Sequence, residues 1–123
     1  MSMYVLYHSP CWDGHGAAWI AWTYFKQHKA EDVTYLPVSY GQPMPDIPRD
    51  ADVFMLDFSY PRAEMFKLLG RVKSIQVIDH HKTAEEALKG FPKAIFDMNH
   101  SGAALTWTYF YPHLQSLSLI DYV

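Results

Sequence analysis

Short apolar runs alternate with longer helical segments along the chain, a pattern typical of α/β proteins. Runs rich in β-branched and aromatic residues predict five strands, at 3–7, 33–38, 53–56, 75–78 and 94–96. The segments between and after them predict helices, at 16–28, 59–69, 83–90 and 102–111, with a last one from 114 or 116 onward. This alternation predicts an α/β fold with a parallel sheet flanked by helices on both faces.

Local signals refine these elements. Asp13-Gly14 predicts a turn before the first helix, and Thr83 with Glu86 has the spacing of a capping box. The first helix is apolar nearly all round, so we expect it to be buried. The same reasoning assigns three tryptophans to the core, namely Trp19, Trp22 and Trp107.

Polar side chains end three of the predicted strands. His8 ends the first strand, Asp57 follows the third, and Asp79-His80-His81 follows the fourth. In an open α/β sheet, ligands bind at the carboxyl ends of the strands, so these groups are expected to converge there. One histidine after a strand is usually part of a turn or a helix cap, but three strand ends of the same kind indicate a site.

These motifs resemble the DHH phosphoesterase superfamily. The resemblance is carried, in order, by His8 to Gly14, by Asp57 and by Asp79-His80-His81. That superfamily includes RecJ-type single-strand exonucleases, oligoribonucleases, cyclic-dinucleotide phosphodiesterases and family II pyrophosphatases. The resemblance implies that residues 1–123 form a single DHH-type domain. It also implies the N-terminal part of a longer architecture, without the family's C-terminal lid domain.

Four residues form the predicted metal-binding set, namely His8, Asp13, Asp57 and His80. Mixed carboxylate and imidazole ligands suit Mn²⁺ or Mg²⁺, and we expect two ions, with Asp57 placed to bridge them. The resemblance assigns the first histidine of the motif, His80, to the metal and the second, His81, to the substrate.

Catalytic and substrate-binding roles are predicted around the same motif. His81 is expected to meet a substrate phosphate or a leaving group, and Asp79 to orient a histidine through its ring N–H. Lys82 is the cation best placed to meet a phosphate. His100-Ser101 opens a helix whose N-terminus either holds a phosphate or carries an ordinary serine cap. Trp12, in the first motif, is a candidate for stacking on a base.

Two departures from the family pattern weaken the metal set. Cys11 stands where many members have a first aspartate, and a lone cysteine is more often a small buried hydrophobe than a ligand. Members usually supply a further metal-binding aspartate after the DHH motif, and Asp121 is the only candidate unless that residue lies beyond Val123.

Composition limits the partners and the compartment. A net charge of −3 argues against a large phosphate-binding surface for nucleic acid, but permits a small phosphorylated substrate held by metal ions. One cysteine fits a reducing compartment. No stretch approaches the ~20 apolar residues of a membrane span, and no signal peptide is evident. We therefore expect a cytoplasmic protein with no membrane contact.

The function predicted from these observations is a metal-dependent phosphoesterase or phosphohydrolase. Its partner would be a phosphorylated small molecule, such as a nucleotide, or a short single-stranded nucleic acid, cleaved by metal-activated water. Two alternatives stay open. One is a non-catalytic binding module on a degenerate DHH fold, favoured by Cys11. The other is a pyrophosphatase-like hydrolase of a small substrate.

Overall fold

The computed structural model describes residues 2–30, 32–97 and 99–112. Within these ranges, strands and helices alternate as predicted. They are β1 (Met3–His8), α1 (Trp12–Gln27), β2 (Val33–Val38), β3 (Asp52–Leu56), α2 (Arg62–Leu69), β4 (Ser74–Asp79), α3 (Lys82–Ala87), β5 (Ala94–Phe96) and α4 (Gly102–Phe110). The helix predicted from 114 or 116 and the candidate ligand Asp121 lie outside the described residues.

The five strands form one parallel sheet in the order β2-β1-β3-β4-β5. This arrangement confirms the predicted α/β fold. The chain leaves β1 for β2 on one side and later returns to β3 on the other side of β1. The strand order therefore reverses between β1 and β3. In doubly wound sheets, a crevice opens at such a reversal, outside the carboxyl ends of the strands.

Helices cover both faces of the sheet because adjacent strand residues point in opposite directions. Val5 belongs to the apolar cluster under α1 and α4, whereas its neighbour Leu6 belongs to the cluster under α2. Likewise, Leu56 belongs to the cluster under α1 and α4, and its neighbour Met55 belongs to the cluster under α2. Among the described residues, no helix combines the length and apolar character needed to cross a membrane.

The first helix begins earlier than predicted. α1 starts at Trp12, so Asp13 and Gly14 lie in its first turn and not in a separate turn. The local turn signal is overridden by packing. A Cβ at Gly14 would lie 2.0 Å from the His8 carbonyl oxygen, so only glycine lets α1 start against the end of β1. Glycine here serves close approach of two backbone segments.

Two further predictions were wrong. Trp19 and Trp22 are not core residues, since they are 56% and 44% exposed on α1. Trp107 is partly buried and packs at the edge of the α1–α4 cluster. Thr83 does not cap α3, because the helix starts at Lys82 with His81 in the N-cap position.

Candidate metal centre

Three strand ends meet at one point on the carboxyl edge of the sheet. β3 lies between β1 and β4, so Asp57, which follows β3, sits between His8 and His80. His80 Nε2 is 2.8 Å from Asp57 Oδ1, and His8 Nδ1 is 3.5 Å from Asp57 Oδ2. Three of the four predicted metal ligands therefore meet around Asp57, and the fourth, Asp13, places its Oδ2 3.0 Å from His80 Nε2.

Asp57 is almost completely buried, with 1% of its surface exposed. Its backbone is in the left-handed region, at φ 59°, and its N–H donates to the Ile78 carbonyl oxygen at 2.8 Å. Left-handed backbone is uncommon for residues other than glycine, although aspartate tolerates it better than most. Such conformations are often retained at functional sites, because the surrounding structure holds them there.

Two overlapping groups of side chains can each hold a metal ion. One contains Asp57, Asp79, His80 and His81, and the other His8, Cys11 and Asp57. Within each group, one potential ligand atom per residue lies within 4.8 Å of the others. Because Asp57 belongs to both groups, its position is the one that a bridging carboxylate would require.

Unpaired buried atoms support a fit to a cation. Among the described residues, His8 Nδ1 and Asp57 Oδ1 are buried and make no hydrogen bond. Asp57 Oδ1 is close to His80 Nε2, but the two are not aligned as donor and acceptor. Buried polar atoms are nearly always paired. Imidazole nitrogens and carboxylate oxygens facing one another in this way are potential ligands of a divalent metal ion.

The electrostatics of the cluster also favour a cation. Burial, reinforced by the Asp13 carboxylate, raises the pKa of Asp57 from its ordinary 3.8 to about 8. Burial also lowers the pKa of His8, helped by the neighbouring His81 ring. His8 is thus inclined toward the neutral form in which imidazole binds metals. A positive ion at this position would relieve the cost of ionising Asp57.

Asp13 links two helices, a role that the sequence motif does not indicate. Its two carboxylate oxygens accept hydrogen bonds from the backbone N–H groups of Gly102, at 2.7 Å, and Ala103, at 2.6 Å. The Asp13 carboxylate therefore ties α1 to the N-terminus of α4. Its Oδ2 also lies 3.0 Å from His80 Nε2, so it borders the cluster without belonging to either metal-binding group.

The first backbone N–H groups of α4 already have acceptors within the protein. Ser101 Oγ accepts from the Ala104 N–H at 3.0 Å, and the Gly102 and Ala103 amides are bound to Asp13. The serine-cap alternative is therefore correct. Ser101 is a buried cap and the exposed His100 ring pairs with Asp97, so the substrate contacts of these two residues stay a prediction.

Asp79 holds His81 in one orientation. Its Oδ1 accepts from the His80 N–H at 2.8 Å and lies 2.6 Å from His81 Nδ1. The expected hydrogen bond between Asp79 and a histidine ring is thus present. Tyr40, which the sequence analysis missed, places its hydroxyl 3.4 Å from the same nitrogen. Lys82 follows His81 as an exposed residue in the first turn of α3.

Cys11 is not the inert buried residue that a lone cysteine predicts. It is partly exposed, and its Sγ donates to Asp57 Oδ2 at 3.4 Å. Burial raises the pKa of the Cys11 thiol, and the Asp57 charge adds to this effect. Its position two residues before Asp13 was the available signal in the sequence.

Glycine keeps α4 close to the cluster. A Cβ at Gly102 would lie 2.7 Å from Asp57 Oδ1. We expect Gly102→Ala to displace the Asp57 carboxylate, weakening Mn²⁺ binding at least about tenfold and costing about 1–3 kcal/mol of stability. Calorimetric Mn²⁺ titration and thermal unfolding measure both effects.

Gly70→Ala provides the control for Gly102→Ala. Gly70 has a negative φ of −76°, and a Cβ there would meet its nearest atom, the Lys67 carbonyl oxygen, at 3.6 Å. This variant should bind Mn²⁺ like the unmodified protein. Equal Mn²⁺ affinity in both variants would contradict the close contact between Gly102 and Asp57.

The comparisons with known proteins support the fold. No protein-family model matches the chain. The chain is 35% identical, over 121 residues, to an uncharacterized protein of Acanthamoeba polyphaga mimivirus, covering 88% of this chain and 29% of the viral protein. The crystal structure of an uncharacterized protein from Helicobacter pylori G27 aligns with a TM-score of 0.71 and 16% identity, covering 95% of this chain and 38% of that chain. The structural likeness shows a shared fold.

Proposed function

We propose that the protein is a metal-dependent phosphoesterase related to the DHH superfamily. The observation that carries the proposal is the convergence of His8, Asp57 and His80 on the carboxyl edge of the sheet. Mn²⁺ or Mg²⁺ is the proposed cofactor, and the two overlapping groups that share Asp57 support two ions. The proposed substrates are a phosphorylated small molecule, such as a nucleotide, or a short single-stranded oligonucleotide.

Metal binding and proton transfer are assigned to different residues of the chain. His8, Asp57 and His80 hold the ions, and Cys11 borders Asp57. Bound divalent cations supply charge that stabilises the phosphoryl oxygens and acidifies water. Asp79 accepts the Nδ1–H of His81, which leaves the lone pair of His81 on Nε2. His81 Nε2 is then able to accept a proton from water and, once protonated, to hydrogen-bond a phosphate oxygen or give that proton to the leaving group.

Two alternative functions are also compatible with the structure. A non-catalytic binding module is favoured by the use of Asp13 as a tie to α4, because this draws a carboxylate away from the metal set. A pyrophosphatase-like hydrolase would use the same cluster on a small phosphoanhydride. We also propose a cytoplasmic location, because Cys11 has to stay reduced to border Asp57 as a thiol.

Hydrolysis assays test the proposal. The protein is incubated with Mn²⁺ and either short oligonucleotides, a cyclic dinucleotide or pyrophosphate, and the products are separated by chromatography. We expect phosphodiester cleavage that stops when EDTA is added, and at least about a 100-fold loss in His80→Ala, since removing even an indirect metal partner costs 10- to 100-fold.

His28→Ala is the matched control, because His28 is an exposed histidine at the C-terminal end of α1, whereas the cluster borders the N-terminal end of that helix. Its turnover should stay within about twofold of the unmodified protein. Manganese binding without turnover on any phosphodiester would overturn the catalytic proposal and support the binding module. Cleavage of pyrophosphate alone would support the third possibility.

A further inference from the structure

Trp12 is unusually open to solvent for a tryptophan. It is 90% exposed in the first turn of α1 and makes no ring contact with the other described residues. A tryptophan side chain presents a large apolar ring face to a ligand. Trp12 is adjacent in sequence to Cys11, so it lies at the margin of the candidate metal centre.

A pocket lies between Trp12 and Cys11, beside the metal centre. It has a volume of about 320 Å³ and is lined by Pro10, Cys11, Trp12 and His15. Its Cys11 wall is the same residue whose sulfur contacts Asp57. The pocket and the cluster are therefore neighbours that share the side chain of Cys11. The Pro10 ring and the Trp12 indole provide apolar surfaces, and His15 provides a polar edge near Ser9 Oγ, at 3.1 Å.

We propose that this pocket binds the nucleobase of a nucleotide whose phosphate lies at the metal centre, with the base stacked on Trp12. The inference rests on the proposed function, which places a phosphate at the metal centre, and Cys11 borders that centre through Asp57. In a nucleotide, one sugar separates the base from its phosphate, so a base beside the cluster follows from that placement. Stacking suits any base, because every base has a π-face.

A second pocket beside the cluster is less suited to a base. It has a volume of about 450 Å³ and is lined in part by Tyr40, Phe58 and Tyr60. These rings already pack against one another, with centroids 4.6 Å apart for Tyr40 and Phe58 and 4.8 Å apart for Phe58 and Tyr60. Trp12 has no such partner, so its face is open to a ligand.

Two other exposed tryptophans make it possible to distinguish specific binding of a base at Trp12 from non-specific binding to exposed apolar side chains. Trp19 and Trp22 lie on α1 further from the cluster. Trp19 is seven positions after Trp12, which is roughly 10 Å along a helix. A base attached to a phosphate at the cluster contacts Trp12 and not Trp19. A protein partner covering the helix would use both.

Calorimetry with adenosine 5′-monophosphate and ribose 5-phosphate, in the presence of Mg²⁺, tests the subsite without requiring turnover. The unmodified protein should bind the nucleotide more tightly than the sugar phosphate. Trp12→Ala should weaken nucleotide binding roughly 5- to 150-fold and leave sugar phosphate binding unchanged. Trp12→Phe should recover part of the loss, because it restores an aromatic face.

Trp19→Ala is the control and should bind both ligands like the unmodified protein. The inference is overturned if the unmodified protein does not prefer the nucleotide, if Trp12→Ala weakens both ligands equally, or if Trp19→Ala matches Trp12→Ala. Base-dependent binding without hydrolysis would uphold the subsite and contradict the catalytic proposal. If the protein hydrolyses its substrate but Trp12→Ala does not change nucleotide binding, the catalytic proposal is upheld and the base subsite is contradicted.

Discussion

Asp57→Asn is expected to eliminate Mn²⁺ binding while making the metal-free protein more stable at pH 8. Asparagine keeps the shape of the side chain but removes the charge that binds the cation, so Mn²⁺ affinity should fall by more than about 100-fold. The same charge is costly in a side chain that is 1% exposed. Its removal should stabilise the metal-free protein by about 1–3 kcal/mol.

The pH dependence of this effect has a definite sign. The folded pKa of Asp57, about 8, lies above its ordinary value of 3.8. Between these values the folded state binds more protons than the unfolded state, so metal-free stability falls as pH rises from about 4 to about 8. Asp57→Asn should remove much of this decline. Thermal unfolding in EDTA at pH 5 and pH 8 measures it, and an equal decline in both proteins would contradict the account.

Asp97→Asn is the control for Asp57→Asn. Asp97 also lies beside a histidine, but its pKa is lowered, chiefly by a hydrogen bond from the Asn99 N–H. The stability it contributes is present above its unfolded pKa and is lost as pH falls. Asp97→Asn should therefore leave both Mn²⁺ binding and the high-pH decline unchanged.

Mn²⁺ itself should restore the stability that ionised Asp57 removes. At a free concentration 100 times the dissociation constant, a ligand stabilises the folded state by about 2.7 kcal/mol. For a chain of this size, that is a rise in melting temperature of roughly 10 °C. The rise should be absent in Asp57→Asn and present in Asp97→Asn.

Asp13→Asn is expected to destabilise the protein by about 2–4 kcal/mol even without metal. The two backbone N–H groups of α4 that donate to Asp13 lose a charged acceptor, and charge-assisted hydrogen bonds contribute roughly 1.5–3 kcal/mol each. The asparagine amide can accept one N–H, but its NH₂ group faces the other. Urea unfolding in EDTA measures the loss.

Glu64→Ala is a matched control, because Glu64 is also an acid in the first turn of a helix but is exposed on α2. It should change stability by less than about 0.5 kcal/mol. This comparison also decides the role of Asp13. Weakened Mn²⁺ binding with unchanged metal-free stability would mean that Asp13 acts mainly as a ligand, contradicting the tie to α4.

The central residues of the site could be predicted because they depend on topology alone. His8, Asp57 and His80 each lie at the carboxyl end of a strand, and parallel strands bring such ends to one edge. The strand order then places Asp57 between the two histidines. No side-chain detail was needed for this part of the prediction.

The tie between α1 and α4 could not be predicted from local sequence. Asp13 and Gly102 are 89 positions apart, and their contact depends on how α4 packs against α1. The local signals at Asp13-Gly14 favoured a turn, and those at Ser101 fitted either a cap or an anion site. The sequence signal for this close packing was the presence of glycine at positions 14, 16 and 102.

The exposed tryptophans show a second limit. Helical spacing indicates which residues share a face, but not which face meets the sheet. On α1, the buried face is formed by small and aliphatic residues such as Ala17, Ile20 and Ala21. The alanines let the helix approach the sheet and α4 closely, which leaves Trp19 and Trp22 on the solvent side.

Anomalous diffraction from crystals grown with Mn²⁺ tests the central claim most directly. The account predicts Mn²⁺ peaks at bonding distance, roughly 2.0–2.5 Å, from Asp57 and from at least one of His8 and His80. Two peaks sharing Asp57 would match the two overlapping groups of side chains. Well-ordered crystals with Mn²⁺ bound elsewhere, or with none at Asp57, would contradict it.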